Sequence, residues 1–292
     1  MLQHYDITDL VDYINWHYFF HAWKLPAQMA AVARLHHCEA CRQSWVSTFS
    51  SDQQEQAHVA VELYDDARRA LSLMAGHTHI GAIVRLLSAW SDGDNIVVDN
   101  DGQSVDLPML RQQRPDHDGF CWSMADFIRP LETGQVDRIG LFATSVDSML
   151  TDDLVDPLLR QTLCDRLAEA AAERLHEQVR KTLWGYAPDE HLTIDQLHQE
   201  HFQGIRPAVG YPSLPDLSIN FLLDSLLDFS QIGVTLTESA MMKPHASVSG
   251  LMIAHPKSHY FSIGPISDDQ LADYARRRQM DATMLQGFVI KE

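Results

Sequence analysis

The residues best suited to chemistry stand together in Gly204-Ile205-Arg206-Pro207-Ala208-Val209-Gly210-Tyr211-Pro212. Each proline fixes its own φ and biases the residue before it away from helix. Gly204 and Gly210 permit backbone angles and close approaches that a side chain would block. This composition predicts a rigid, irregular loop with its amides displayed. Arg206 is held within it, and a planar guanidinium fork suits a carboxylate. Ala208 and Gly210 leave room for a small molecule to lie against the main chain. The loop could clamp a ligand; a proline-rich connector with a surface arginine would have the same composition.

Two further groups carry reactive side chains. Glu169, Glu173, His176 and Arg180 recur at helical spacing and form one polar row. Glu173 and Arg180 are expected to be solvated ion-pair residues. Cys38-Glu39-Ala40-Cys41 follows His36 and His37. Such a CxxC becomes a structural zinc site when a second ligand pair stands at a definite spacing. Cys121 and Cys164 are far away in sequence, so no metal site is expected and the thiols should lie idle on a helix. No serine, cysteine or histidine triad stands out, and no catalytic nucleophile is assigned.

The bounds are consistent with a binding role. The formal net charge of −18 argues against nucleic acid and anionic membrane as partners. No apolar run is long enough to span a bilayer and no signal peptide opens the chain. Four cysteines among 292 residues make no disulfide framework, which fits a cytoplasmic setting. Arg276-Arg277-Arg278 is a local basic patch, expected on a solvated helix face.

The elements that must position these residues follow from periodicity. Leu159, Leu163, Leu167, Ala171, Leu175, Val179 and Leu183 make 158–184 the strongest helix, its apolar stripe winding about the axis as in a central helix. A second amphipathic helix spans 59–74, with Val59, Leu63, Ala67, Ala70, Leu71 and Met74 on one side. Residues 80–90 and 95–98 flank Ser91-Asp92-Gly93-Asp94 and predict a hairpin. Asn100-Asp101-Gly102 is another turn. Strands are also expected at 139–144, 234–237, 246–254 and 260–263, the last returning after a turn at His255-Pro256-Lys257-Ser258. Helices are expected at 219–229 and 280–288. Asp9 should cap a short helix near the start, and Ser267-Asp268-Asp269-Gln270 should open one with a capping box.

Arg206-Pro207-Ala208-Val209-Gly210-Tyr211-Pro212 resembles the RPAxGYP signature of the activation domain of cobalamin-dependent methionine synthase. Leu167-Ala168-Glu169-Ala170, Leu175-His176-Glu177-Gln178-Val179-Arg180-Lys181 and Trp184-Gly185-Tyr186-Ala187-Pro188 resemble that family's long helix and its exit. Leu236-Thr237-Glu238-Ser239, Ala246-Ser247-Val248-Ser249-Gly250, His255-Pro256-Lys257-Ser258-His259-Tyr260-Phe261 and Asp273-Tyr274-Ala275-Arg276-Arg277 follow in the family's order. The resemblance is dense after Asp165 and patchy before it. It implies one α+β domain over residues 1–292, with a bent, mainly antiparallel sheet, hairpins and the long helix packed centrally.

The resemblance also implies a function. The family domain binds S-adenosylmethionine and docks on a cobalamin-binding domain, so that cob(II)alamin is reductively methylated with an electron from flavodoxin or an equivalent donor. Here the partner would be a methionine synthase in trans, which carries the cobalamin. Arg206 is then expected to hold the ligand carboxylate, and the backbone of Ala208, Gly210 and Tyr211 to line the adenosyl part. Tyr260 and Phe261 correspond to an aromatic pair at the ligand, and Glu169 and Glu200 to nearby carboxylates. Tyr13-Ile14-Asn15-Trp16 resembles a YIDW motif whose aspartate meets the ligand ammonium. Asn15 keeps the shape and loses the charge, which predicts weaker binding. The alternative is a module that docks on a corrinoid protein with weak or lost S-adenosylmethionine binding.

Overall fold

The computed structural model describes residues 1–36, 38–117 and 119–290. In chain order its elements are β1 (Leu2–His4), α1 (Ile7–Leu10), α2 (Trp16–Ala22), α3 (Glu39–Val46), α4 (Ser51–Met74), β2 (Thr78–Asp92), β3 (Asn95–Asn100), β4 (Gln103–Pro108) and β5 (Asp137–Ser148). They continue with α5 (Pro157–Gln178), α6 (Ile194–His198), α7 (Ile219–Leu227), β6 (Thr235–Leu236), β7 (Met242–Lys243), β8 (Ser247–Met252), α8 (Asp268–Arg278) and α9 (Ala282–Gln286). Among the described residues no helix is long and apolar enough to cross a membrane.

One antiparallel sheet organises the molecule, in the order β4-β3-β2-β5-β8, with β1 added to the free stretch of β2. The hairpin predicted around Gly93 is its β2–β3 turn, and the turn at Asp101 leads to β4, which the sequence reading left out. Successive side chains of β2 enter opposite cores, as strand geometry requires. Ala82 and Val84 join one apolar cluster, while Ile83, Leu87 and Ala89 join the other. Covered on both faces, β2 is a nearly continuous apolar run. The first face carries α4, α5 and the N-terminal helices; the second carries α7, α8 and α9.

Helix α5 lies on the sheet through Leu159, Leu163, Leu167, Ala171 and Leu175, all buried. Asp156 caps it, accepting the Leu159 N–H at 2.9 Å, and Pro157 occupies the first turn, where a missing N–H costs nothing. The predicted end at 184 is reached differently: α-helix stops at Gln178 and a π-helical turn covers Val179–Leu183.

Helix α4 buries Ala57, Ala60, Tyr64, Ala67, Leu71 and Met74, whereas Val59 is exposed. The small alanines let this face approach the core closely, and the bulkier Val59 is left outside. Asp6 caps α1, with Asp9 at the third helical position reaching back to the Asp6 N–H. Ser267 precedes α8 but bonds Gln113 and Asp269 side chains, so the expected capping box is absent there.

The stretch 260–263 is no strand. Its partners belong to the loop before α7: the Ile263 N–H donates to Pro212 O at 3.0 Å, and Ser213 Oγ bonds both backbone groups of Phe261. Only Arg276 of the arginine run is well exposed. Arg277 donates to Asn95 and to the Asp94 and Met109 carbonyls, and Arg278 to Ser218 beside Asp216.

Candidate functional site: a cavity between the long helix and the arginine loop

The predicted loop does not stand free of the sheet. Residues 205–209 run antiparallel along β8 and its continuation. The Ile205 and Val209 N–H groups donate to Ile253 and Ser249, and Leu251 donates back to Pro207. With the Gly210 N–H on Leu214 O, the Tyr211 N–H on Ala208 O and the Arg206 N–H on the Tyr260 hydroxyl, five of the supposedly displayed amides are used. Ala208 faces Gly250 as a non-bonded pair, which turns its own N–H away from β8. Gly250 is required by proximity, because a Cβ there would stand 2.2 Å from Pro207 O. Gly204 has φ +90° and a Cβ there would stand 2.4 Å from Ile253 O.

Between this loop and α5 lies a cavity of about 630 Å³, within the range of small-molecule sites. Asn15, Glu169, Glu200, Arg206, Ala208, Tyr211, Tyr260 and Phe261 all line it, so eight of the nine sequence-derived positions converge. Gly210 does not; it borders the neighbouring cavity and serves the turn, with φ +89° and Leu217 and Ile290 close by. Tyr211 lies between the two cavities.

Glu173 and Arg180, expected in solvent, are buried. Glu173 lies beside Glu169 on the face of α5 turned to the loop, and Arg180 stands in the π-helical turn that follows α5. Arg206 Nη2 donates to Glu173 Oε2 at 3.1 Å and Nη1 donates to His176 Nδ1 at 3.3 Å. The Arg206 backbone N–H donates to the Tyr260 hydroxyl at 2.9 Å. These side-chain contacts use two of the five guanidinium N–H groups. The second oxygen of Glu173, Oε1, is buried with no donor among the described residues. A buried carboxylate oxygen in that state is costly unless a donor arrives.

His176 is fully buried. Burial, reinforced by the Arg180 and Arg206 cations, holds its pKa well below the ordinary value. Arg206 can only donate, so Nδ1 accepts and the neutral ring carries its proton on Nε2, beside the Tyr186 hydroxyl at 3.3 Å. Arg180 pairs with Glu190 at 2.8 Å and lies over the Phe202 ring at 4.1 Å. It stands in the π-helical turn, and π turns recur at functional sites.

Tyr211 donates to Glu169 at 3.0 Å, and that carboxylate, ahead of partial burial, pushes the phenol pKa above its ordinary value. Phe261 is buried and Tyr260 is half-exposed, so one stiffens the wall while the other can cover a ligand. Asn15 caps α2: its Oδ1 accepts the His17 N–H at 3.1 Å. Glu200 is exposed at the cavity and has φ +58°.

Glu173, His198, Tyr13 and Arg166 also line the cavity or its rim, and the sequence reading did not assign them. For Glu173 the signal was present: four residues after Glu169 is the same helix face.

An antiparallel sheet thus carries a long helix, and a buried arginine on the adjoining loop faces the carboxylates of that helix. The model of the family "vitamin B12 dependent methionine synthase, activation domain" matches residues 6–279, and the chain belongs to that family. Among solved structures, the chain is similar to a MetH reactivation domain crystallised with AdoHcy. The two share 32% identity with a TM-score of 0.83, over 99% of this chain and 88% of that one.

Proposed function

We propose that this chain binds S-adenosylmethionine in the cavity and presents its methyl group to cobalamin carried by a methionine synthase in trans, with flavodoxin or an equivalent donor supplying the electron. The observation that carries this reading is the convergence on one cavity of Arg206, the outward Ala208 amide, the Tyr260–Phe261 pair and the acids Glu169, Glu173 and Glu200. The AdoHcy in the related structure is the demethylated form of the same ligand and supports the assignment.

When bound, the ligand supplies an electrophilic methyl on a sulfonium, so the protein needs no nucleophile of its own. Its task is positioning. Arg206 takes the carboxylate with the donors that Glu173 and His176 leave free. Glu173 Oε1 offers the ammonium an acceptor inside the wall. Glu169 and Glu200 offset the sulfonium charge. Tyr260 covers the ligand while its hydroxyl holds the Arg206 backbone.

Calorimetric titration with S-adenosylmethionine and AdoHcy tests the reading. Arg206→Ala removes a charge-assisted bond worth roughly 1.5–3 kcal/mol, so affinity should fall about tenfold or more. Arg206→Lys keeps a cation beside Glu173, which protects the fold while removing the fork, and should also weaken binding. Saturable binding by wild type that neither variant changes would remove Arg206 from the clamp. No binding by wild type would favour the second reading, a docking module for a corrinoid protein. That reading draws on Asn15, whose oxygen is already occupied by the helix cap and carries no charge.

A further inference from the structure

The cavity uses none of the cysteines, yet two of them stand in an organised group elsewhere. Cys38 is the N-cap of α3, and its Sγ accepts the Cys41 N–H at 3.2 Å. His36 precedes it by two residues. One ligand atom from each of His36, Cys38 and Cys41 lies within 4.8 Å of the other two. Both cysteines are free thiols. Around a tetrahedral zinc with bonds near 2.3 Å, neighbouring sulfurs stand roughly 3.8 Å apart, so these side chains need close by only about an ångström.

The frame beneath the group is fixed. Next to Cys41 on α3, Arg42 forks onto both oxygens of Asp65, which ties the start of α3 to α4. The N–H that bonds Cys38 Sγ supports a thiolate, the outer-shell contact that orients a sulfur ligand. Two thiolates and an imidazole are the donors zinc prefers over magnesium or calcium. His36 is exposed and both cysteines are half-buried, so a cation reaches them from solvent. Among the described residues no fourth histidine, cysteine or carboxylate joins them. Three protein ligands from the described residues make up most of a tetrahedral zinc shell, which a further donor would complete.

We propose that His36, Cys38 and Cys41 hold a zinc ion, at a site separate from the ligand cavity. The sequence reading set a metal site aside because no second ligand pair stood out at a definite spacing; the structure draws the third donor from His36, two residues before Cys38.

Cobalt(II) titration of the reduced full chain tests the site, with cobalt standing in for zinc. The expected result is a thiolate-to-cobalt charge-transfer band and tetrahedral ligand-field absorption that saturate at one equivalent and vanish when zinc is added. Cys38→Ser and Cys41→Ser should each lose or strongly reduce the charge-transfer band. His36→Ala should keep the band and bind more weakly. Cys121→Ser should behave as wild type. Circular dichroism confirms that each variant is folded, and His36, being exposed, gives a variant whose folding is not at issue. S-adenosylmethionine titration should be the same in all of them, which separates this site from the cavity. No band in the reduced wild type, or an undiminished band in folded Cys38→Ser, overturns the proposal. So does a Cys38–Cys41 disulfide that persists under reductant and excludes cobalt.

Discussion

Asn15 places two demands on one oxygen. Its Oδ1 accepts the His17 N–H and so caps α2, while the same side chain lines the cavity. A ligand ammonium arriving there would share that oxygen with a backbone donor. Aspartate caps helices about as well as asparagine and adds a second acceptor and a full charge, which also suits a helix N-terminus. Asn15→Asp should therefore tighten S-adenosylmethionine binding by about 1 kcal/mol, roughly fivefold, in low salt at neutral pH. The gain should shrink in high salt only if the cavity stays open to solvent. Titration of both forms decides it: unchanged or weaker binding by the variant means that residue 15 does not face the ammonium.

The loop at 205–209 works as an element because β8 carries it. Gly250 is where the two backbones come closest, with Pro207 O and the Ala208 Cα both inside the space a methyl would need. Gly250→Ala should force the loop off the sheet edge, at about 1–3 kcal/mol of stability, and weaken ligand binding with it. Thermal melting and calorimetry read the two effects; a variant unchanged in both would show that the loop tolerates the displacement. The sequence made the hairpin at Gly93 and helix α5 legible because a strong turn signal and a long period each act locally. It could not make the 260–263 segment legible, since a short aromatic run is strand-like until its partner proves to be Ser213 and Pro212. Glu173 and Arg180 looked solvated for the same reason: their counter-charges come from Arg206 and Glu190, which the helix period does not announce. Arg277 and Arg278 were misplaced likewise, their acceptors lying on β3, after β4 and before α7.

Across the whole molecule, one buried group links stability to pH. His176, on the loop-facing side of α5, faces Arg206, Arg180 and the Tyr186 hydroxyl, and burial and those cations favour its neutral form. The unfolded chain protonates it near pH 6.5 and the folded chain does not. Its contribution is therefore constant above about pH 6.5 and falls as pH drops below it, by up to about 1.4 kcal/mol per pH unit. His176→Gln retains an acceptor toward Arg206 and a donor toward Tyr186. Denaturant titrations at about pH 7 and about pH 5.5 should show a smaller acid-side loss for the variant than for wild type. Equal losses would mean that His176 does not report on folding.

The cavity draws its walls from both ends of the chain: Asn15 and Tyr18 near the start, Glu169 and Glu173 midway, Arg206 to Tyr211 later and Tyr260 near the close. A molecule filling it would act as a clasp on the fold. Amide exchange in α2, far in sequence from the arginine loop, should slow when S-adenosylmethionine is present, because opening that wall would first require letting the ligand go. Protection confined to the loop alone would show that the clasp closes on one side only, and that the first helices could peel away without disturbing what is held.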